Sequence, residues 1–160
     1  MVEGLPHASA GLRIAEAPRR SMFVLRGRAA AIEAALAAAG ATRGDALHLG
    51  PDEWWLLAGP EDRQDMIGAL ERGLAGRPHS LVGVSDRMVA LRIEGARATE
   101  ALAAFCPLDL DLAVFQPGRC TRTLLGKADM MLWRLGADTF HLEVGRSFTG
   151  YAAGLLLTEA

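Results

Sequence analysis

Two stretches of this 160-residue chain are followed later by similar stretches in the same order, and this repetition restricts the possible folds more than any other feature. Met-Phe-Val-Leu-Arg at 22–26 is similar to Met-Val-Ala-Leu-Arg at 88–92, a shift of 66 positions. Leu-Gly-Pro-Asp-Glu-Trp at 49–54 is similar to Leu-Gly-Ala-Asp-Thr-Phe at 135–140, a shift of 86 positions. Two matches in the same order predict the internal duplication of one structural unit.

The hydrophobic pattern within each half alternates between strand-like and helix-like periods. The predicted strands are 21–26, 46–49, 53–57, 88–93, 120–125, 129–135 and 139–144. Four helices are predicted. The first is 28–39, and the second starts at Pro60, Glu61 and Asp62 and ends at Gly76. The third is 96–105, and the last begins at about Ser147. Both halves therefore have the order β-α-β-β-α, which is typical of the α+β class.

The length and the duplication together predict how the chain is organised. A chain of 160 residues is near the usual size of one domain. Each β-α-β-β-α unit is too small to bury its helix face alone, so we expect the two units to share one core. We therefore predict a single domain over 1–160, with pseudo-repeats at about 21–76 and 87–158.

Two patterns near the end of the chain predict which side chains face the core. In the last predicted strand, alternation places His141 and Glu143 on the outward side. In the last helix, the spacing of four residues predicts an apolar stripe that faces the core, namely Phe148, Tyr151, Ala152 and Leu155.

Composition and charge exclude several classes of function. The chain has 17 Lys and Arg against 19 Asp and Glu, with a net charge of -2, so we expect no nucleic-acid partner. No apolar run reaches the roughly 18 residues that a membrane span needs, and no basic start precedes an apolar run. These features predict a cytoplasmic protein without a membrane partner.

The motifs that usually mark cofactor or metal sites are missing. Gly126-Lys127 is followed by Ala128 in place of Ser or Thr, and no GxGxxG follows a predicted strand. The four histidines are scattered without ligand spacing, and Cys106 and Cys120 form no CxxC pair. We therefore predict reduced thiols and no catalytic, cofactor-binding or metal-binding residue on this chain.

The stretch from Pro107 to Lys127 is unmatched in the first half, and we call it the candidate interface segment. The side chains that we expect to contact another protein are Asp109, Asp111, Phe115, Arg119, Arg122 and Lys127. An ordered connection with such a mixture of residues often contacts a partner. The alternative is that the segment covers the chain's own sheet. Asp109 and Asp111 also have two alternatives, a pair of catalytic carboxylates or acids that simply face solvent.

Several runs in the second half resemble a known family. They are Cys-Pro-Leu-Asp-Leu at 106–110, Phe-Gln-Pro-Gly at 115–118, Arg-Thr at 122–123, the run 128–133, and Arg-Ser-Phe at 146–148 with Tyr151. In this order they resemble the gamma subunit of heterotetrameric bacterial sarcosine oxidase, and the first half agrees mainly through 49–54. The resemblance implies a fold similar to the folate-binding region of the glycine-cleavage aminomethyltransferases, whose repeated units agree with the duplication.

The resemblance implies membership of an enzyme complex without an active site on this chain. In that family the complex oxidises sarcosine to glycine, reduces oxygen to hydrogen peroxide and passes the methyl carbon to tetrahydrofolate. The alpha subunit carries NAD and the tetrahydrofolate site, the beta subunit carries FAD and covalent FMN, and the delta subunit binds zinc. The gamma subunit holds no cofactor, so no site residue is carried over to this sequence.

Three other functions remain as alternatives, and one of them is a monomeric binding module for an unknown protein. The equivalent subunit of N-methylglutamate dehydrogenase would have a similar sequence. A free-standing folate-binding protein of the aminomethyltransferase type would need a deep polar pocket with a carboxylate, for which the sequence offers no clear candidate.

Overall fold

A computed structural model describes residues 4–41, 46–59 and 62–159 of the chain. Its elements are β1 (His7–Ser9), β2 (Leu12–Glu16), β3 (Ser21–Gly27), α1 (Ala29–Ala38), β4 (Ala46–Gly50), β5 (Glu53–Ala58), α2 (Arg63–Gly73), β6 (His79–Gly83), β7 (Met88–Glu94), α3 (Ala98–Ala103), β8 (Cys120–Leu125), β9 (Ala128–Gly136), β10 (Thr139–Gly145) and α4 (Thr149–Leu157). Within these described ranges, no helix is long and apolar enough to cross a membrane.

The predicted β-α-β-β-α order is confirmed in the first half, and the second half has the same order with one additional strand, β8, between α3 and β9. Of the predicted start of the second helix, Pro60 and Glu61 lie outside the described residues, and α2 begins at Arg63. The sequence analysis missed three strands, β1, β2 and β6. These strands are short and carry exposed or polar residues, so their apolar pattern is weak.

The chain divides into two compact units. The first unit, Arg19–Ser85, contains α1, α2 and a four-stranded antiparallel sheet of order β4-β5-β3-β6. The second unit joins Met1–Pro18 to Asp86–Ala160, and its six-stranded antiparallel sheet has the order β1-β2-β7-β10-β9-β8. The order β4-β5-β3 of the first unit corresponds to β9-β10-β7 of the second, as the duplication requires.

In each sheet, the strand next to these three corresponding strands comes from outside the repeat that supplies them. β2 precedes the first repeat but pairs with β7 of the second, with Ile14 opposite Ile93. β6 precedes the second repeat but pairs with β3 of the first, with Leu81 opposite Leu25. Because each sheet is completed by a strand from outside its own repeat, neither pseudo-repeat contains a whole unit.

The hydrogen-bonded register refines the duplication. Leu25 pairs with Trp54 in the first unit, and Ile93 pairs with Phe140 in the second. With the 86-residue shift between Trp54 and Phe140, the strands β3 and β7 are related by 68 positions, not 66. A difference of two residues keeps every side chain on the same face of the sheet, which is why the sequence match still had the correct alternation.

Where the sequence predicted one shared core, the buried apolar residues form two clusters, one in each unit. The first unit's cluster is Phe23, Leu25, Ile32, Ala35, Leu36, Trp54, Leu56, Leu70 and Leu74. The second unit's cluster includes Leu91, Ile93, Leu102, Leu110, Phe115, Phe140 and Leu142. Each cluster combines residues of the unit's own sheet with residues of its own two helices, so each sheet buries the helices of its unit.

The predicted outward side of β10 is wrong. His141 and Glu143 are both buried, and His141 Nε2 lies 2.8 Å from Glu143 Oε1. The edge of the Trp133 ring also meets the His141 ring, with centroids 5.9 Å apart. Alternation predicted the correct face for each residue, but it carries no information about whether the second face of a sheet is also covered.

The predicted stripe of α4 is wrong at two of its four positions. Ala152 is buried and Leu155 is half-buried, as predicted, whereas Phe148 and Tyr151 are 47% and 40% exposed. A 3-10 turn at Arg146–Phe148 precedes α4, so Phe148 does not share the angular period of the helix.

Candidate interface segment

The candidate interface segment runs from the end of α3 through an irregular stretch into β8 and the following turn. Leu110 and Phe115 are buried in the cluster of the second unit, so two side chains anchor the irregular part. Asp109, Asp111 and Arg119 are exposed. The segment therefore has a core-facing and a solvent-facing side.

Both aspartates accept hydrogen bonds from nearby backbone amides. The Asp111 N–H donates to Asp109 Oδ1 at 2.9 Å, and the Ala113 N–H donates to Asp111 Oδ1 at 2.8 Å. The Phe115 N–H donates to the Asp111 carbonyl at 2.8 Å. Such contacts stabilise tight turns. The geometry thus uses these carboxylates to shape the segment.

A buried arginine on β9 holds the segment from beneath. Arg134 is 3% exposed, and its Nη1 donates to the carbonyls of Leu110 at 2.8 Å and Phe115 at 2.9 Å. Its Nε donates to the carbonyls of Gly136 and Ala137, each at 3.2 Å. One guanidinium thereby ties the ends of the irregular turn to the β9–β10 connection.

The remaining contacts of Arg134 are hydrogen bonds from Nη2 and a contact with an aromatic ring. Nη2 donates to the Ala137 carbonyl and, at 3.5 Å, to Thr99 Oγ1, and the guanidinium carbon lies 4.8 Å from the centroid of the Phe140 ring. In the part of the chain that the structure describes, no carboxylate pairs with Arg134. Carbonyl dipoles and an aromatic face therefore stabilise a buried positive charge.

Sequence reasoning missed Arg134, although a signal for it exists. Met130 and Leu132 lie at alternate positions before it, and both are in the core. A charged residue at the next core-facing position of an apolar strand needs several hydrogen-bond partners, which an irregular connection with open carbonyls provides.

The three basic candidates are not brought together. Arg119 Nη1 donates to the Val114 carbonyl at 3.3 Å within the segment. Arg122 lies on β8 opposite Met131. The Lys127 N–H, in the turn after β8, donates to the Tyr151 hydroxyl oxygen at 3.1 Å. The six candidate residues thus form no single cluster, and their role as contacts with a partner stays a prediction.

Two exposed apolar side chains of the segment's irregular stretch were not among the candidates. Leu112 and Val114 are 47% and 49% exposed on the turn that the aspartates shape. Their exposure on an ordered turn gives the solvent side of the segment an apolar surface.

The chain's two cysteines lie in this region. Burial raises the pKa of the Cys120 thiol above its usual range. Cys106 is buried, with Sγ 3.8 Å from Thr123 Oγ1. Among residues 4–41, 46–59 and 62–159, no three His, Cys, Asp or Glu side chains form a group that could hold a metal ion.

Comparison with known proteins identifies the family. The family model described as "Sarcosine oxidase, gamma subunit family" matches residues 19–160. The chain belongs to this family. The sarcosine oxidase subunit gamma of Corynebacterium sp. (strain U-96) is 32% identical over 126 residues, which are 76% of this chain and 60% of the relative. The match to this curated family member thus spans about three fifths of its length.

Solved structures agree with the family. The heterotetrameric sarcosine oxidase from Corynebacterium sp. U-96, in complex with pyrrole 2-carboxylate, matches 95% of this chain and 85% of that chain, with a TM-score of 0.81 and 25% identity. The glycine cleavage system aminomethyltransferase T from Bartonella henselae matches 92% of this chain and 45% of that chain, with a TM-score of 0.68 and 16% identity. The second likeness concerns the fold alone. Together they confirm the predicted α+β class and its relation to the aminomethyltransferases.

Proposed function

We propose that this gamma-family chain is a non-catalytic structural subunit of a sarcosine oxidase complex. The family match over residues 19–160 carries the proposal. The match to a chain of a heterotetrameric enzyme supports it, because such a chain works in contact with other subunits. The proposed partners are alpha, beta and delta subunits in the cytoplasm.

The proposed reaction of the complex is the oxidative demethylation of sarcosine to glycine. The methyl carbon passes to tetrahydrofolate, and oxygen is reduced to hydrogen peroxide. FAD, FMN, NAD, tetrahydrofolate and zinc are assigned to the other subunits. The use of the Asp109 and Asp111 carboxylates as turn-forming acceptors supports a structural role for the segment of this chain that carries most of the candidates.

We propose that the candidate interface segment docks on a neighbouring subunit through Leu112 and Val114. Both are exposed on a turn whose backbone Arg134 and the two aspartates already hold in place. A preordered turn loses little conformational entropy on binding, so its apolar side chains contribute most of their burial energy to assembly.

Co-expression with the other subunits tests the proposal. We expect the tagged chain to purify with a yellow flavoprotein that releases hydrogen peroxide when sarcosine is added. Recovery of the chain without flavin-containing partners would refute the structural role, and saturable tetrahydrofolate binding to the chain alone would favour the folate-binding alternative.

Substitution on the segment tests the docking surface. The double change Leu112→Ser and Val114→Ser should weaken assembly about tenfold or more while the melting temperature of the purified chain stays unchanged. Phe148→Ser is the control, because Phe148 is 47% exposed but lies outside the candidate interface segment. Equal loss of assembly in the control would show that the effect is not specific to the turn.

A further inference from the structure

The outermost strand of the first unit's sheet, β6, has an open backbone edge. β6 is last in the order β4-β5-β3-β6, and its only strand partner in that order is β3. Four of its five residues are exposed, and Val82 is 51% exposed. An edge strand with free backbone groups is a site at which another extended chain can add.

Two hydrogen bonds define which β6 residues face outward. The Val84 N–H donates to the Met22 carbonyl at 2.8 Å, and the Gly27 N–H donates to the Asp52 carbonyl at 3.1 Å. Even-numbered residues of β3 therefore bond towards β6, and odd-numbered residues bond towards β5. By the register, the residues of β6 opposite the odd ones direct their N–H and C=O groups away from the sheet.

These outward residues are His79, Leu81 and Gly83. Their outward N–H and C=O groups form no backbone hydrogen bond with any described residue of the chain. The sequence of β6, His-Ser-Leu-Val-Gly, contains neither lysine nor proline, which are common protections against pairing at sheet edges. This edge thus offers up to three pairs of backbone groups to a partner strand.

An open groove of about 830 Å³ begins where β6 begins. It is lined by Gly27, Arg28, Ala30, Ala31, Ala34, Arg77 and Pro78. Gly27 is the register partner of His79, so the groove adjoins the first residue of the open edge. The small side chains of α1 leave room for the side chains of an added strand.

Arginine side chains lie near both ends of β6. Arg28 and Arg77 lie at the groove, and neither is paired with a carboxylate of the described residues. Near the other end, the guanidinium of Arg63 lies 5.5 Å from the Phe23 ring centroid and close to Gly83. Unpaired arginines beside an apolar groove favour a partner with acidic side chains.

We infer that an acidic, extended segment of a neighbouring subunit adds as a strand to the outer edge of β6. The inference rests on the proposed function, because it needs a complex in which this chain has a partner. Backbone hydrogen bonds to residues 79, 81 and 83 hold the segment, and its carboxylates meet the arginines at the groove. A second copy of this chain is the competing occupant.

A pair of substitutions at Gly83 tests the backbone contact in the co-expressed complex. Gly83→Pro removes an outward N–H, and proline is tolerated at an edge position whose N–H takes no part in the sheet. Gly83→Ala is the matched control, since an added Cβ would meet its nearest atom at 3.6 Å, an ordinary contact. We expect Gly83→Pro to weaken assembly about tenfold and Gly83→Ala to leave it unchanged.

Charge reversal tests the groove. Arg28→Glu combined with Arg77→Glu should weaken assembly about tenfold or more. Arg19→Glu combined with Arg20→Glu, which changes two exposed arginines outside the groove, should not. Hydrogen exchange should show the amides of residues 79, 81 and 83 protected only in the complex, and those of 80 and 82 protected in both states.

The outcomes separate this inference from the proposed function. If the unaltered chain forms the flavoprotein complex and Gly83→Pro assembles equally well, the strand addition is refuted and the structural role stands. If the unaltered chain forms no complex, the proposed function itself fails. Concentration-dependent dimers of the purified chain that Gly83→Pro abolishes would also overturn the inference, since a second copy would then occupy the edge.

Discussion

The two units place different side chains against an aromatic ring at equivalent positions, an exposed histidine in the first unit and a buried arginine in the second. His48 pairs with Trp54 across β4 and β5, and their rings stack 4.4 Å apart. Arg134 pairs with Phe140 across β9 and β10, with its guanidinium over the ring. Both residues are related by the 86-residue shift of the duplication.

The difference shows that the candidate interface segment needs hydrogen-bond donors from the sheet beneath it. In the first unit, the residue beside the aromatic ring is an exposed histidine. In the second unit, an irregular stretch follows α3 and brings buried carbonyls over the sheet. A long side chain with several donors satisfies those carbonyls, so the buried arginine at this position holds the segment in place.

The largest effect should come from Arg134. Arg134→Met leaves the buried carbonyls of Leu110 and Phe115 without their donor, and each unsatisfied group costs about 1–3 kcal/mol. We expect the free energy of unfolding to fall by about 5 kcal/mol in urea titrations of the purified chain. His48→Ala, the equivalent change in the first unit, should cost about 1 kcal/mol. Similar losses for both variants would contradict the special role of Arg134.

The buried pair on the second face of β10 should have the next largest effect. His141 and Glu143 correspond to Trp55 and Leu57 of the first unit, which are also buried. Glu143→Leu alone leaves His141 Nε2 without its partner and should cost about 2 kcal/mol. Changing both residues to leucine should cost less than the sum of the two single changes, as in other buried polar pairs. Additive losses in a thermal or urea double-mutant cycle would show that the pair is not coupled.

The smallest effect concerns pH and reports on the second unit alone, because both cysteines lie there. Burial raises the pKa of Cys120 in the folded chain, so the unfolded chain loses this thiol proton at lower pH. Below about pH 8.5 both states hold the proton, and above it ionisation of the unfolded state lowers stability. We expect Cys120→Ser to reduce this alkaline loss by less than about 1 kcal/mol. Parallel curves of stability against pH for the two proteins would refute the burial of this thiol.

Local patterns were sufficient to predict most elements and the duplication, but not the pairing of strands. The strands β3, β5, β7 and β10 have strong apolar runs, so their positions were predicted within a few residues. β6 was missed because an exposed edge strand needs few apolar residues, and β2 was missed because only five residues carry its pattern. Their exchange between the units depends on contacts far apart in the chain, which no local period reports.

The candidate site was predicted as a region but not in its details. The segment stood out because it has no counterpart in the first half, and the structure anchors it through Leu110 and Phe115. The exposed pair Leu112 and Val114 was not predicted, since exposure on a turn depends on how the turn is held. The partners of Arg134 are carbonyls 19 and 24 residues away, so only the fold shows them.

The amino-acid sequence alone determined the α+β class, the order of elements and the repetition of one unit, because periodicity and turn residues act over a few positions. The tertiary structure decided which strands complete each sheet, which second faces are buried and which carbonyls Arg134 must satisfy. Burying a polar group costs free energy unless a hydrogen-bond partner offsets it. For these features the partners are far apart in the sequence, so only the folded chain shows which groups are paired.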